Sequence, residues 1–536
     1  MRDARFLLGD EAVALGAVHA GLSAAYGYPG TPATEILETL LAAGRPHAAW
    51  CANEKTAYEA ALGVSLAGRR AMVTMKHVGL NVAADPFVNS ALVEIGGGLV
   101  VAVADDPGMH SSQNEQDSRV LADFARLPCL EPADAQEAYA MTREAFDLSE
   151  RFHLPVLLRL VTRLAHGRSR VVPGEPRPEN VPSRPADPAR WILLPANARR
   201  AWRGLLQLQP ELRAWAEASP WNPLSLNHAW RELGVITTGI ARAHYAEVLP
   251  ELPWEPSHLH VGAYPFPVAQ IRALASHVQA ILVLEEGPPY LERHLRGLLG
   301  GTLDVRGKQS GELPPDGELD ADLVRRALGL PTPPSGVTST LGPIVRPPQL
   351  CQGCPHRDVF AALEQALAEH PGALVTSDIG CYTLGALPPF ETIQSCVCMG
   401  ASIGMARGAA DAGVRPTVAV IGDSTFLHSG VTPLMDAVAA GADLLVIVLD
   451  NGTVAMTGTQ PTILPGPRIE AIAEAIGLPS GRVHVIEPHP RRLDALAALL
   501  RQEIERPGPG LVVCRRECLE AARRRKTSAA AQEVAP

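Results

Sequence analysis

Two stretches decide how this chain is read: Thr417-Val418-Ala419-Val420-Ile421-Gly422-Asp423-Ser424 and Leu444-Leu445-Val446-Ile447-Val448-Leu449-Asp450-Asn451. Each apolar run is short, β-branched and bounded by turn residues, the pattern of a buried parallel strand. Residues 426–441 between them read as a helix. The resulting βαβ unit sets Asp423 and Asn451 together at the carboxyl ends of neighbouring strands, where open α/β sheets bind ligands. One carboxylate, one amide oxygen and a nearby backbone carbonyl suit Mg²⁺, which takes octahedral oxygen ligands completed by phosphates rather than by a full protein cage. A diphosphate-bearing cofactor is the expected occupant.

A Gly-Asp-x turn followed about one strand-helix-strand later by Asn resembles the thiamine diphosphate signature. Here it runs from Gly422-Asp423-Ser424 to Asp450-Asn451-Gly452-Thr453 and on through Val454 to Gln460. The resemblance implies that Asp423 and Asn451 hold Mg²⁺ through their side chains and Thr453 through its carbonyl, with Gly400, Gly422 and Ser424 also at the cofactor. The alternative is an ordinary Rossmann-like turn, since Gly-Asp after a strand is common.

Outward from this unit, 536 residues are too many for one core and imply about three domains. A composition that is 46% hydrophobic and 19% charged is globular. A net charge of -10 argues against sequence-independent nucleic-acid binding. The first residues carry no apolar h-region, and no run reaches the roughly 18 apolar residues that span a bilayer. A cytoplasmic protein away from membranes is expected. In that compartment nine cysteines are more readily metal ligands, catalytic groups or core residues than disulfides. Lysine occurs only at Lys55, Lys76, Lys308 and Lys526.

Residues 1–170 alternate helix-like and strand-like segments, among them a helix at 56–67 and strands at 71–75 and 99–104, as a doubly wound sheet requires. Residues 171–233 are rich in Pro, Arg and Trp and read as a linker. A smaller α/β segment spans 234–310, a second Pro/Gly-rich linker 311–348, and the last domain 349–522. Residues 523–536 open with a basic cluster and read as a disordered tail.

Asn53-Glu54-Lys55 precedes a helix whose small residues Ala57, Ala60, Ala61 and Val64 recur at helical spacing. In one reading Asn53 caps the helix and Glu54 complements its dipole, adding up to about 1 kcal/mol. In the other, Glu54 lies buried at a cofactor cleft. Polar or Gly/Pro loops at 26–32, 76–81 and 105–119 follow strands in the same way and belong to the same carboxyl edge.

These segments resemble the large subunits of indolepyruvate:ferredoxin oxidoreductases, a branch of the thiamine diphosphate-dependent 2-oxoacid:ferredoxin oxidoreductases. The matches are Tyr28-Pro29-Gly30-Thr31-Pro32, Asn53-Glu54-Lys55, Lys76-His77-Val78-Gly79-Leu80-Asn81, the block from Asp105 to Arg119, Cys354-Pro355-His356-Arg357, Asp378-Ile379-Gly380-Cys381-Tyr382-Thr383-Leu384-Gly385 and Cys398-Met399-Gly400-Ala401-Ser402. The implied fold has two doubly wound thiamine diphosphate-binding domains, one for the pyrimidine and one for the diphosphate. A transketolase-C-like α/β domain lies between them. Glu54 is then the glutamate that hydrogen-bonds a pyrimidine nitrogen, while Thr31, His77 and Arg119 meet substrate carboxylate or its developing charge.

A Cys351-x-x-Cys354 pair with two distant cysteines can build a zinc or a 4Fe-4S site, and the spacing does not choose. The resemblance implies one 4Fe-4S cluster close to the cofactor, held by Cys351, Cys354, Cys381 and Cys518. Cys514 belongs to an apolar strand and is expected to face the core, as are Cys396 and Cys398 beside Gly400. Members of this family commonly continue into a ferredoxin-like module with repeated CxxCxxCxxxCP ligands; this sequence does not, so electrons are expected to pass to another protein.

The reading that follows is the large subunit of a hetero-oligomeric enzyme. It oxidatively decarboxylates arylpyruvates to acyl-CoA and CO₂, with a smaller partner subunit, coenzyme A, and ferredoxin or another acceptor protein. The alternatives are a non-oxidative thiamine diphosphate-dependent 2-oxoacid decarboxylase and a non-catalytic assembly subunit.

Overall fold

The strands Ala71–Lys76 and Leu99–Asp105 pair in parallel at the middle of a seven-stranded sheet. In sheet order it runs Ala263–Tyr264, Cys129–Leu130, Val156–Val161, Leu99–Asp105, Ala71–Lys76, Ala24–Gly27 and His47–Trp50. Every residue of Leu99–Asp105 is buried, because helices cover both faces. That double burial is why the sequence there is continuously apolar rather than alternating. On one face the helices Gly9–His19 and Ala135–Phe152 pack so closely that a Cβ on Gly16 would stand 2.6 Å from the Tyr139 carbonyl oxygen.

This computed structural model describes residues 4–44, 46–185, 187–299, 303–331, 349–464 and 468–534. The chain divides into two compact units, Met1–Thr340 and Leu341–Pro536. The first unit contains the seven-stranded sheet and a second, five-stranded one in the order Asp304–Arg306, Ala280–Leu284, Leu233–Thr238, Ser257–Val261 and Leu224–Ser225. Only the last pairs antiparallel. Immediately after Ser257–Val261 the chain crosses over, and Ala263–Tyr264 pairs with Cys129–Leu130 of the first sheet. Backbone hydrogen bonds thus join the middle segment to the first domain.

The middle segment also runs past residue 310. Leu313, Leu319 and Val324 pack with Val235, Tyr245 and Leu282 in one core, so apolar side chains place residues up to the helix Ala321–Ala327 within it. The rest of the expected second linker, 332–348, lies outside the described residues. The first linker is not featureless either: Pro195–Ala218 is a helix burying Leu205, Leu212 and Ala216, with Pro195 in its first turn, where a missing N–H costs nothing, and Pro210 inside it.

The second unit is built on six parallel strands in the order Ser395–Cys396, Leu374–Ser377, Thr417–Gly422, Leu445–Asp450, Gly510–Arg515 and Val483–Ile486. The expected βαβ unit is present, with Gly422 opposite Leu449. Its helix is not uniform: Phe426–Gly430 is a π-helical turn before the α-helical Val431–Ala439. The segment read as a tail continues the helix Leu519–Val534. Among the described residues, no helix is long and apolar enough to cross a membrane.

Candidate functional site

In the second unit, the carboxyl ends of three adjacent strands carry the polar residues. Asp378 follows Leu374–Ser377, Asp423 follows Thr417–Gly422, and Asn451 follows Leu445–Asp450. Asp423 and Asn451 do come together: Gly452 N donates to Asp423 Oδ2 at 3.1 Å, and Thr453 N donates to Asn451 Oδ1 at 3.0 Å. Asp423 is 3% exposed. Burial, then the Asp450 carboxylate, pushes it up to about 7, against the backbone N–H groups of Ser424 and Gly452. A buried carboxylate with no counter-cation among the described residues is the kind of group that a divalent ion returns to its charged form. This donor set of carboxylate, amide oxygen and backbone carbonyl fits Mg²⁺ carrying a diphosphate.

Gly400 caps the helix Ala401–Asp411 with a φ of +84°, and a Cβ there would meet Ser429 Cβ at 2.4 Å. At that helix start Ala401 N donates to the Cys398 carbonyl at 3.1 Å and Ser402 N to Asp378 Oδ2 at 3.4 Å. Asp378 holds the turn in place: Ser402 Oγ donates to its Oδ2 at 2.6 Å and Tyr382 OH to its Oδ1. Burial pushes Asp378 up to about 6. The sequence reading assigned no role to Asp378, although Val375-Thr376-Ser377-Asp378 repeats the strand-then-acid pattern that marked Asp423.

The thiols of Cys351, Cys354 and Cys518 lie within electrostatic reach of Cys381. Burial first, then the thiols of Cys354, Cys518 and Cys351, pushes Cys381 up to about 12; Cys354, raised to about 11 chiefly by burial, feels Cys351 and Cys518 in turn. Cys514 feels none of them and is pushed up to about 12 by burial alone, inside the strand Gly510–Arg515. Among the described residues, no three His, Cys, Asp or Glu side chains stand close enough to hold one metal ion. Cys396 and Cys398, expected in the core, are exposed instead, because Ser395–Cys396 is a two-residue strand at the sheet edge.

In the first unit, Asn53 caps the helix Glu54–Leu66 by accepting from Thr56 N at 2.9 Å, so the capping reading holds. Glu54 is also buried, at 5% exposure. Its carboxyl lies against Gly79, where a Cβ would stand 2.5 Å from Oε1 and 2.8 Å from Cγ. Gly79 therefore cradles the carboxylate, a role the sequence reading did not assign. Beside them, burial lowers the Lys76 ammonium, opposed by the carboxylates of Asp106 and Glu54, and Lys76 Nζ donates to Ser111 O at 3.3 Å.

His77 is 1% exposed, with Nε2 at 3.2 Å from both Asn114 O and Asn114 Oδ1. Two carbonyl acceptors make Nε2 the protonated nitrogen, and Nδ1 has no partner among the described residues. Thr31 is half-buried, and its carbonyl accepts from Ser111 Oγ at 3.4 Å. Thr31, Lys76, His77 and the 105–119 loop thus share one sheet edge with Glu54.

Arg119, at the end of that loop, is committed to other partners. Its guanidinium, 1% exposed, pairs with Asp117 at 2.6 Å, Glu131 at 3.2 Å and Glu285 at 3.3 Å, and donates to Thr238 Oγ1 and Tyr264 OH. Arg159 completes the cluster with Asp105 and Glu131. Every nitrogen of Arg119 is engaged inside the protein, so the structure offers it no face toward a substrate and makes it the tie between the first and middle domains.

Two family models match the chain. One, described as pyruvate flavodoxin/ferredoxin oxidoreductase, thiamine diphosphate-binding, matches residues 15–187. The other, the C-terminal binding domain of thiamine pyrophosphate enzymes, matches residues 378–514. Among curated proteins, the indolepyruvate oxidoreductase subunit IorA of Archaeoglobus fulgidus is 38% identical, over 96% of this chain and 86% of its own. The subunit of the same name from Methanothermobacter thermautotrophicus is also 38% identical, over 96% and 87%. That of Thermococcus kodakarensis is 36% identical, over 96% and 85%.

Proposed function

Since the chain belongs to the family of indolepyruvate oxidoreductase IorA subunits, and so to the thiamine diphosphate-dependent oxidoreductases of 2-oxoacids, we propose that its substrates are arylpyruvates such as indolepyruvate. The reaction joins a 2-oxoacid anion to coenzyme A, giving acyl-CoA and CO₂ and releasing one proton and two electrons. Cys351, Cys354, Cys381 and Cys518 would hold a 4Fe-4S cluster, which would supply one-electron transfer, and ferredoxin or another protein would be the acceptor. A smaller subunit completes the enzyme.

The observation that carries this reading is the grouping of those four thiols in the unit that also joins Asp423 to Asn451.

Thiamine diphosphate, when bound, supplies the nucleophilic carbon and the electron sink of the reaction. The chain's own residues bind and orient it. Asp423, Asn451 and the Thr453 carbonyl would hold Mg²⁺, with Gly422 and Ser424 in the same turn and Gly400 beside the diphosphate. Glu54, fixed by the helix start and by Gly79, holds a proton at the pyrimidine nitrogen. Thr31 and His77 are placed to meet substrate; Arg119 supports the fold behind them.

The test is an anaerobic absorption spectrum of the protein with its partner subunit, before and after thiamine diphosphate, Mg²⁺, indolepyruvate and coenzyme A are added. A brown band that bleaches on substrate addition is expected. Aldehyde and CO₂ formed without such a band would replace this reading with a non-oxidative decarboxylase.

A further inference from the structure

Three links run from the four-cysteine group to the Asp423–Asn451 pair. Cys518 N donates to the Asn451 carbonyl at 3.2 Å. His356, two residues after Cys354 and 3% exposed, places Nε2 3.5 Å from Asn451 Nδ2, at the long limit of a hydrogen bond. Tyr382, next to Cys381, lays its ring where a Cβ on Gly422 would stand, 2.6 Å from Cε1, and its hydroxyl donates to Asp378, which pins Ser402 beside Gly400. The rings of His356 and Tyr382 meet edge to face at 6.4 Å.

Asn451 is therefore held from two sides. Its amide oxygen accepts from Thr453 N, while its NH₂ faces His356. With the NH₂ directed at His356, the oxygen is the atom left for a cation. Gly422, immediately before Asp423, has no room for a Cβ on the side of the Tyr382 ring. Anything that moves Cys354, Cys381 or Cys518 moves a residue bonded to, or wedged against, the Mg²⁺-binding turn.

We infer that His356 and Tyr382 are positioning residues through which occupancy of the four-cysteine site sets the affinity of the Asp423–Asn451 site for Mg²⁺ and thiamine diphosphate. The inference rests on the cluster reading proposed above. Linkage makes the effect reciprocal: bound thiamine diphosphate raises the affinity of the four-cysteine site for its iron by the same factor.

The experiment measures binding of thiamine diphosphate with Mg²⁺ to the whole protein by calorimetry, iron-loaded and then stripped by an anaerobic chelator. The stripped wild type is expected to bind roughly 5- to 100-fold more weakly, the usual span of such couplings. In His356→Ala the ratio of the two affinities falls toward one, and His356→Gln, which restores an acceptor, recovers part of it. Tyr382→Phe keeps the ring against Gly422 and retains more of the ratio than Tyr382→Leu. A merely structural role would weaken both forms alike and leave the ratio unchanged, which would overturn the inference. Equal affinities in the loaded and stripped wild type would overturn it without any variant having to fold, leaving the cluster reading intact. A protein that takes up no iron on anaerobic reconstitution removes the cluster reading and the inference together.

Discussion

Replacing Arg119 separates a residue that touches substrate from one that holds two domains together. Arg119→Ala leaves Asp117, Glu131 and Glu285 with one guanidinium fewer among them, and frees Thr238 and Tyr264 on the middle domain. Removing one member of a buried ion pair costs about 3–5 kcal/mol, because the remaining charge stays buried. The cluster is already acid-rich: Arg119 and Arg159 face Asp105, Asp117, Glu131 and Glu285, and burial raises Asp105 and Glu285. Part of the lost charge is thus absorbed by protonation, which sets the estimate at about 4 kcal/mol rather than a multiple of it. That is a large share of the roughly 5–15 kcal/mol that keeps a domain folded. Thermal unfolding followed by circular dichroism, with limited proteolysis, should show an early transition in which the middle domain loosens. Arg119→Lys should recover only part, since one ammonium lacks the planar fork that reaches three carboxylates. An Arg119→Ala protein with wild-type unfolding and only a raised KM for the 2-oxoacid would refute this reasoning and restore the substrate role.

Other predictions follow from single contacts. Glu286, buried at 1% exposure, is pushed up to about 7 from 4.5 by burial. Its ionised form costs stability above pH 4.5, reaching about 3 kcal/mol above pH 7; Glu286→Gln should therefore raise the unfolding temperature at pH 8 and leave it nearly unchanged at pH 4.5. Equal shifts at both pH values would count against it. Cys518→Ser should lose iron on anaerobic reconstitution while Cys514→Ser keeps it, read by iron content per chain. Gly79→Ala pushes a methyl into the Glu54 carboxyl and should lower turnover by about 10²-fold or more, the scale of a displaced acid–base group. Retained activity in that variant would show that Glu54 has room to move.

The legible parts of this protein share a cause: they are local, or fixed by a topological rule. The strands at 417–422 and 445–450 could be read because burial on both faces leaves an unbroken apolar run. The meeting of Asp423 with Asn451 followed from the handedness of one crossover. The burial of Cys514 could be read because it sits in the apolar strand Gly510–Arg515. What surrounds Arg119 was hidden: the block from Asp105 to Arg119 lies along a sheet edge, yet the partners of its guanidinium include Glu131, Thr238, Tyr264 and Glu285, the last of them 166 residues away. No period or spacing records a partner at that distance. The helix Pro195–Ala218 was hidden by proline, since Pro195 occupies the one helical turn that tolerates it and Pro210 breaks the expected pattern without breaking the helix. Asp378, His356 and Tyr382 stood inside quoted motifs without roles because each acts on another residue rather than on a ligand. A motif marks that a position is constrained; only packing shows by what. Around Asn451 that packing reaches back to the cysteines, so iron binding and cofactor binding there should be measured together.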